Sequence, residues 1–355
     1  MLNNVLLVLF LAINTASADI DVENNHSEGF KISGYFDGGF SEWGSYNTVP
    51  SREFTIRRSG FKLYARFVET LRAEIKIEAR PDELFLKNAV IQWSPTSWAE
   101  IQAGQFKSAT LLAGEQSYWS LNMFERPLVY NLRKSLTFSG RDIGSDMRID
   151  IPEFHGVVLS GIAGVFNGDE RGEKRVDNEL LYTMRGEIEI PSIDLTLGAS
   201  AASHRQGTDN PEDPSGYSVS GRQNAFSADV SLNCKISNWY GFSATAEVSK
   251  GDNWQQADVI AGDEASVFAG YWGNFTAFCH PWRVGGVRTI SVSLGYDYLS
   301  PDSDNDYHHR RISVIGAVYP SDNIRFRFGG IVHRVDGLPV TDNYTDYIAE
   351  VGLRF

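Results

Sequence analysis

Residues 71–79 read LRAEIKIEA: Leu71, Ala73, Ile75, Ile77 and Ala79 are apolar, and Arg72, Glu74, Lys76 and Glu78 between them are all charged. A period of two marks a strand whose side chains leave its two faces alternately. Few settings ask for unbroken charge on one face and unbroken hydrocarbon on the other. A soluble sandwich answers with an oily core and a wet exterior. A membrane barrel answers the reverse way, with lipid outside and water within.

The same rhythm recurs about sixteen times along the chain. The segments are 30–40, 53–67, 71–79, 85–93, 98–106, 142–151, 156–166 and 180–190, then 193–203, 223–233, 238–250, 265–278, 288–299, 309–319, 323–334 and 344–355. What joins them is more telling. Every second connection is short and turn-like: VET near 68–70, SPTS at 94–97, PEFH at 152–155, PS at 191–192 and YPSDN at 319–323. The others, 41–52, 167–179, 204–222, 251–264 and 335–343, are long and polar, with 80–84 as the exception. Segregation of loop length by parity belongs to a barrel with one rim of turns and one of loops. A soluble sandwich has no reason to sort its loops that way.

The start of the chain bears on compartment. Leu2 to Ile13 form an apolar run, and Ala16, Ser17 and Ala18 fit a small-residue cleavage site, so 1–18 reads as a cleaved export signal. The n-region has no Lys or Arg, but a run of about 12 residues is too short to be a membrane anchor. Residues 19–29 then form a short acidic leader before a barrel domain of 30–355. No later run approaches the roughly 20 apolar residues of a spanning helix. Cys234 and Cys279 are too few for a disulfide-dense scaffold or a four-cysteine metal site; paired or unpaired, both remain open. With a net charge of −13 and no basic tail, nucleic acid is excluded as a partner, and no GxxxxGK[ST] nucleotide loop or GxSxG nucleophile occurs. His308 and His309 beside Asp304 and Asp306 are a solvated loop tip rather than a catalytic or metal centre, so no enzyme, cofactor or metal is expected.

Tyr347, Ala349, Val351, Leu353 and Phe355 share a face of the last segment. A terminal aromatic there resembles the signal by which the barrel assembly machinery takes up bacterial outer-membrane proteins. Lys or Arg on a lipid face costs about 2–4 kcal/mol at the midplane, so the charged face of 71–79 must line the lumen.

Five short stretches occur in an order and spacing similar to those of the phosphate-selective porin O and P family: FTIRRSGFKL (54–63), GQFK (104–107), FER (124–126), GRDIG (140–144) and GVFNGDE (164–170). The resemblance covers roughly 30–170, and the remainder shares only the strand rhythm. It implies an all-β, closed antiparallel transmembrane β-barrel of sixteen strands in the outer membrane. It also implies trimers, and diffusion of anions past basic side chains that hold phosphate at a constriction. The long connection 107–140 would be the third outer loop, folded inward.

Phosphate asks for guanidinium forks and ammonium point charges in series, since one tight site would trap the ion. With Phe61, Leu63, Ala65 and Phe67 facing lipid, Arg58, Lys62 and Arg66 face the lumen along about 26 Å, with no acid between them on that strand. Arg57 falls on the wrong parity unless Ser59–Gly60 forms a bulge, though the family pattern uses both arginines. Arg72 and Lys76 join from the next strand; Arg325, Arg327 and Arg354 join from the end of the chain, where Ile324, Phe326 and Phe328 face lipid. The loop adds Lys107, Arg126, Arg133 and Lys134. Acids at 210–214, 251–264 and 300–306 weigh against an anion path unless they lie outside it or bind the divalent cations that bridge lipopolysaccharide. The expectation is thus a porin for small anions, phosphate or related oxyanions. The alternatives are a non-selective porin and a structural or adhesive barrel with a plugged lumen.

Overall fold

The computed structural model describes residues 20–23, 29–44, 51–81, 83–168, 179–205, 222–253, 266–280, 287–303, 306–337 and 342–355. The expected export signal, 1–18, lies outside them, as do the acidic stretch 210–214 and most of 251–264. The strands are β1 (Ile20–Glu23), β2 (Gly29–Trp43), β3 (Ser51–Val68), β4 (Leu71–Arg80), β5 (Glu83–Thr96), β6 (Ala99–Lys107), β7 (Arg141–Phe154), β8 (Val157–Phe166) and β9 (Leu181–Ile190). They continue as β10 (Leu195–His204), β11 (Gln223–Lys235), β12 (Tyr240–Asn253), β13 (Ser266–Cys279), β14 (Thr289–Ser300), β15 (His308–Ser321), β16 (Ile324–Asp336) and β17 (Asp342–Arg354).

Each strand from β2 to β17 pairs antiparallel with its sequence neighbours, and β17 pairs back onto β2, so sixteen strands close into a barrel. Part of the acidic leader forms a strand: β1 pairs with Gly29–Ile32 at the start of β2. The connection 107–140 holds two helices, α1 (Leu112–Glu115) and α2 (Leu128–Ser135).

The inside-out arrangement follows from burial along single strands. On β14, Val292 and Leu294 are 56% and 55% exposed, while Ser291, Ser293 and Asp297 are buried. In the opening stretch, Ile75 is 45% exposed and Glu78 is buried. Oily residues thus face outward and ionic ones inward, the pattern of a barrel in lipid. Trp93, Trp98, Phe154, Trp239 and Tyr240 are exposed near the short turns, and Tyr271 stacks on Tyr296 and Tyr298 on the outer face nearer the long loops. Aromatics of this kind sit at the two membrane–water interfaces. Ile324, expected to face lipid, is instead buried at the strand end.

Cys234 and Cys279 are both free. Cys234 pairs with Phe242 and Cys279 with Tyr240, so β12 lies between them. Two strand spacings, about 9.6 Å, exceed the roughly 7 Å limit between Cα atoms of a disulfide.

Candidate functional site

A cavity of about 870 Å³ lies against the inner wall of β2–β7 and is closed on its other side by residues of the 107–140 connection. Its basic lining residues are Arg58, Lys76, Arg80, Lys87, Lys107, Arg126, Lys134, Arg141 and Arg354; its acidic ones are Asp37, Glu78, Glu83 and Glu115.

The sequence brings Arg57 and Arg58 to the same side by a bulge. Arg58 pairs with Asp37 and Ile56 with Gly38, which leaves Arg57 as the extra residue. The irregularity falls at Arg57 itself, not at Ser59–Gly60, and lets two consecutive arginines point inward. Arg57 reaches Glu350 at 3.2 Å, and Arg58 donates to Asp37 at 2.6 Å while its guanidinium lies 3.8 Å from the Tyr118 ring centre. A second bulge, at Lys87, lies between the pairs Lys76–Asn88 and Ile77–Leu86. It too adds an inward cation, Lys87, which donates to Glu78.

Neighbouring strands supply the acids that β3 lacks between Arg58 and Arg66. Lys62 meets Glu74 at 2.6 Å, Arg58 meets Asp37, and Arg72 meets Glu100. The Arg58, Lys62, Arg66 series is therefore largely neutralised across strands, and only exposed Arg66 has no ion pair among the described residues. Lys76 and Arg141 also have none among the described residues: Lys76 Nζ sits 5.1 Å from the Tyr35 ring centre, and Arg141 Nε donates to Asn88 Oδ1 at 2.8 Å. Buried Arg126 is held between the Tyr118 and Tyr130 rings at 4.5 and 4.8 Å and donates Nη2 to the Gln116 carbonyl, while its Nη1 finds no acceptor among the described residues.

The other side of the 107–140 connection meets the wall from β9 to β16. Glu247 accepts the Leu112 and Ala113 amides of α1 at 3.0 and 3.2 Å and the Trp272 indole at 2.9 Å. Asp297 accepts the Leu128 amide of α2 at 2.8 Å, the charge and position that a helix N-terminus favours. Arg325 donates to the Tyr118 and Trp119 carbonyls and pairs with Asp37 and Glu350; Arg327 donates to the Leu121 and Met123 carbonyls and pairs with Glu350. Arg311 binds Asp297, Glu125 and the Arg126 carbonyl. Apolar side chains fill the same seam, Leu111, Val129, Leu136 and Phe138 against Phe166, Leu181, Phe268 and Trp272. A Cβ at Gly270 on β13 would meet Val129 at 2.8 Å, so glycine lets α2 approach the wall.

Three classes of predicted cation therefore separate. Arg133, Arg325 and Arg327 are enclosed; burial lowers Arg133 to about 10, and it donates to Ser249 Oγ at 3.1 Å. Arg57, Lys62, Arg66 and Arg72 stand on the inner wall outside the cavity lining, and Arg58, Lys76, Lys107, Arg126, Lys134 and Arg354 line it. Sequence reasoning missed Arg80, Lys87 and Arg141 in the lining and Arg185, Glu247, Asp297 and Arg311 among the anchors. Lys87 was hidden by its bulge. Arg141 shares the outward parity of Ile143, and it reaches the cavity because β7 begins there as the chain leaves the loop.

Barrel and cavity define the class: a closed sixteen-stranded antiparallel barrel built like outer-membrane channels. The chain is similar in fold to the anion-selective porin from Comamonas acidovorans, with TM-score 0.63 and 10% identity over 92% of this chain and 100% of that one. It is similar to the outer membrane channel DcaP of Acinetobacter baumannii, with TM-score 0.60 and 11% identity over 94% of this chain and 99% of that one. It is also similar to the trimer form of OmpT, an outer membrane protein of Vibrio cholerae, with TM-score 0.57 and 10% identity over 93% and 100%. No family model matches the chain, and comparison with curated proteins returns no match.

Proposed function

We propose that this protein is an outer-membrane porin, exported with a cleaved signal peptide, that passes small anions by diffusion, phosphate or related oxyanions among them. The 107–140 connection is its constriction loop, anchored across the lumen so that solutes pass between it and the β2–β7 wall. The observation that carries the reading is Arg126: a guanidinium that lines the cavity without an ion pair among the described residues, beside Lys76 and Arg141, which form none there either. Such a cluster holds an anion weakly at several points, as conduction requires. The fold's likeness to a porin described as anion-selective supports this reading, and the likeness to a trimer form supports assembly as a homotrimer. Lipid and lipopolysaccharide surround the barrel, and Phe355 is its handle for the assembly machinery.

The test is a reversal potential across a planar bilayer in a chloride gradient, repeated with phosphate added. Anion preference in wild type, reduced by Arg126→Gln with Lys76→Gln and blocked in part by phosphate, is expected. Cation preference, or a reversal potential that the double substitution leaves in place, refutes the anion path.

A further inference from the structure

Gln105 is out of place. It stands on the outward parity of β6, paired with Ala89 on one side and exposed Ile143 on the other, at a position where a free amide would face hydrocarbon. It is nonetheless buried, and its Nε2 donates to the Leu86 carbonyl at 2.7 Å and to the Lys87 carbonyl at 3.3 Å. Those carbonyls belong to the β5 bulge. The β5–β6 ladder stops at the pair Ala89–Gln105, so the bulge has no backbone partner from β6, and the side chain takes the place of the missing rungs.

What the bulge presents inward is part of the cavity. Lys87 and Asn88 follow one another on the same side; Asn88 donates to Glu74 at 2.7 Å and accepts from Arg141 Nε at 2.8 Å. We propose that Gln105 is a positioning residue for ion selectivity: from outside the barrel it locks the bulge that sets Lys87 and Asn88, and through Asn88 the guanidinium of Arg141, at the cavity wall. The proposal rests on the anion path proposed above.

It also accounts for the stretch GQFK, which the anion path uses only at Lys107. Gly104 has φ +130°, and a Cβ there would run into the Ala89 carbonyl oxygen, so glycine brings β6 close enough for Gln105 to reach the bulge. Phe106 packs edge-on against Phe166 at 5.3 Å, inside the loop seam. Lys107 donates to the Gly114 carbonyl in the last turn of α1 and to the Gln116 carbonyl just past it. The four residues together fix the bulge on one side and the loop on the other.

The experiment uses full-length protein folded in detergent and inserted in planar bilayers. Gln105→Met keeps the side-chain volume and removes the donors. We expect it to lower the anion-over-cation permeability ratio about threefold, as Lys87→Gln and Arg141→Gln should do directly. Heat-modifiable migration on gels confirms that each variant is a closed barrel. If Gln105→Met does not fold, deletion of Lys87 serves instead: it removes the extra residue, restores a regular ladder, and should lower the ratio while making Gln105→Met tolerable in the same chain and without further effect on selectivity. A folded Gln105→Met with wild-type selectivity, while Lys87→Gln and Arg141→Gln shift it, overturns the positioning role and leaves the anion path standing. Selectivity unmoved by Lys87→Gln and Arg141→Gln as well refutes the path at this wall, and the role of Gln105 falls with it.

Discussion

Glu247→Ala tests how the 107–140 connection is held. The carboxylate is almost fully buried and accepts two α1 amides and the Trp272 indole. Hydrogen bonds to a charged acceptor contribute about 1.5–3 kcal/mol each, and the two that hold α1 are lost with the substitution. Removing a buried carboxylate returns several kcal/mol of desolvation, so the net loss at this anchor is roughly 3 kcal/mol. That is about a hundredfold in the ratio of docked to released α1. The α2 end remains held by Asp297, Arg311 and Arg327, so the expected result is a loop loosened at one end rather than lost. Single-channel recording should show a larger mean conductance with flicker, and added protease should cut near 112–116 faster than in wild type. Glu247→Gln, which keeps shape and one acceptor, should fall between. A folded Glu247→Ala barrel with wild-type conductance and protease resistance would refute the view that this carboxylate anchors the loop.

Burial pushes the Glu115 carboxyl up to about 7 from its ordinary 4.5, against the pull of Arg185 at 3.3 Å. A raised folded value means the proton favours docking: its contribution is whole below about pH 4.5 and lost as pH rises through about 7. Current noise should therefore grow between about pH 5 and 8 in wild type and stay flat in Glu115→Gln. Ile75→Arg puts a charge on the lipid face and should cost about 2–4 kcal/mol in folding into bilayers, whereas Lys76→Gln beside it should fold normally; equal costs would count against the inside-out reading. Cys234 and Cys279 should both react with a maleimide after denaturation without reductant, and loss of that labelling would reveal a disulfide.

The barrel was legible because its signal is local: alternation within 71–79 and the parity of loop length need no knowledge of neighbours. The site was legible only in part, because neutralisation is a property of adjacent strands. Arg58 and Lys62 look unopposed along β3, yet Asp37 on β2 and Glu74 on β4 reach them. Bulges hide in the same way. Arg57 and Lys87 break the alternation, and nothing in either segment reports that they are the residues left without a match on the partner strand. Arg325 and Arg327 were placed on the correct face, but which groups meet that face, loop carbonyls and carboxylates of other strands, is not written in their own segment.

The seam between β2 and β17 carries a consequence for how such a chain comes to exist. It joins Tyr35 to Arg354, and Gly34 and Phe355 exchange two backbone hydrogen bonds there. Until both ends of the sheet are in place, the intermediate is an open ribbon with two raw edges and a greasy outer surface, the form most prone to sticking to its own kind. Its contacts are also among the most distant the chain can make, which slows their formation. Closing this one seam therefore hides both edges at once and leaves the sheet without an end.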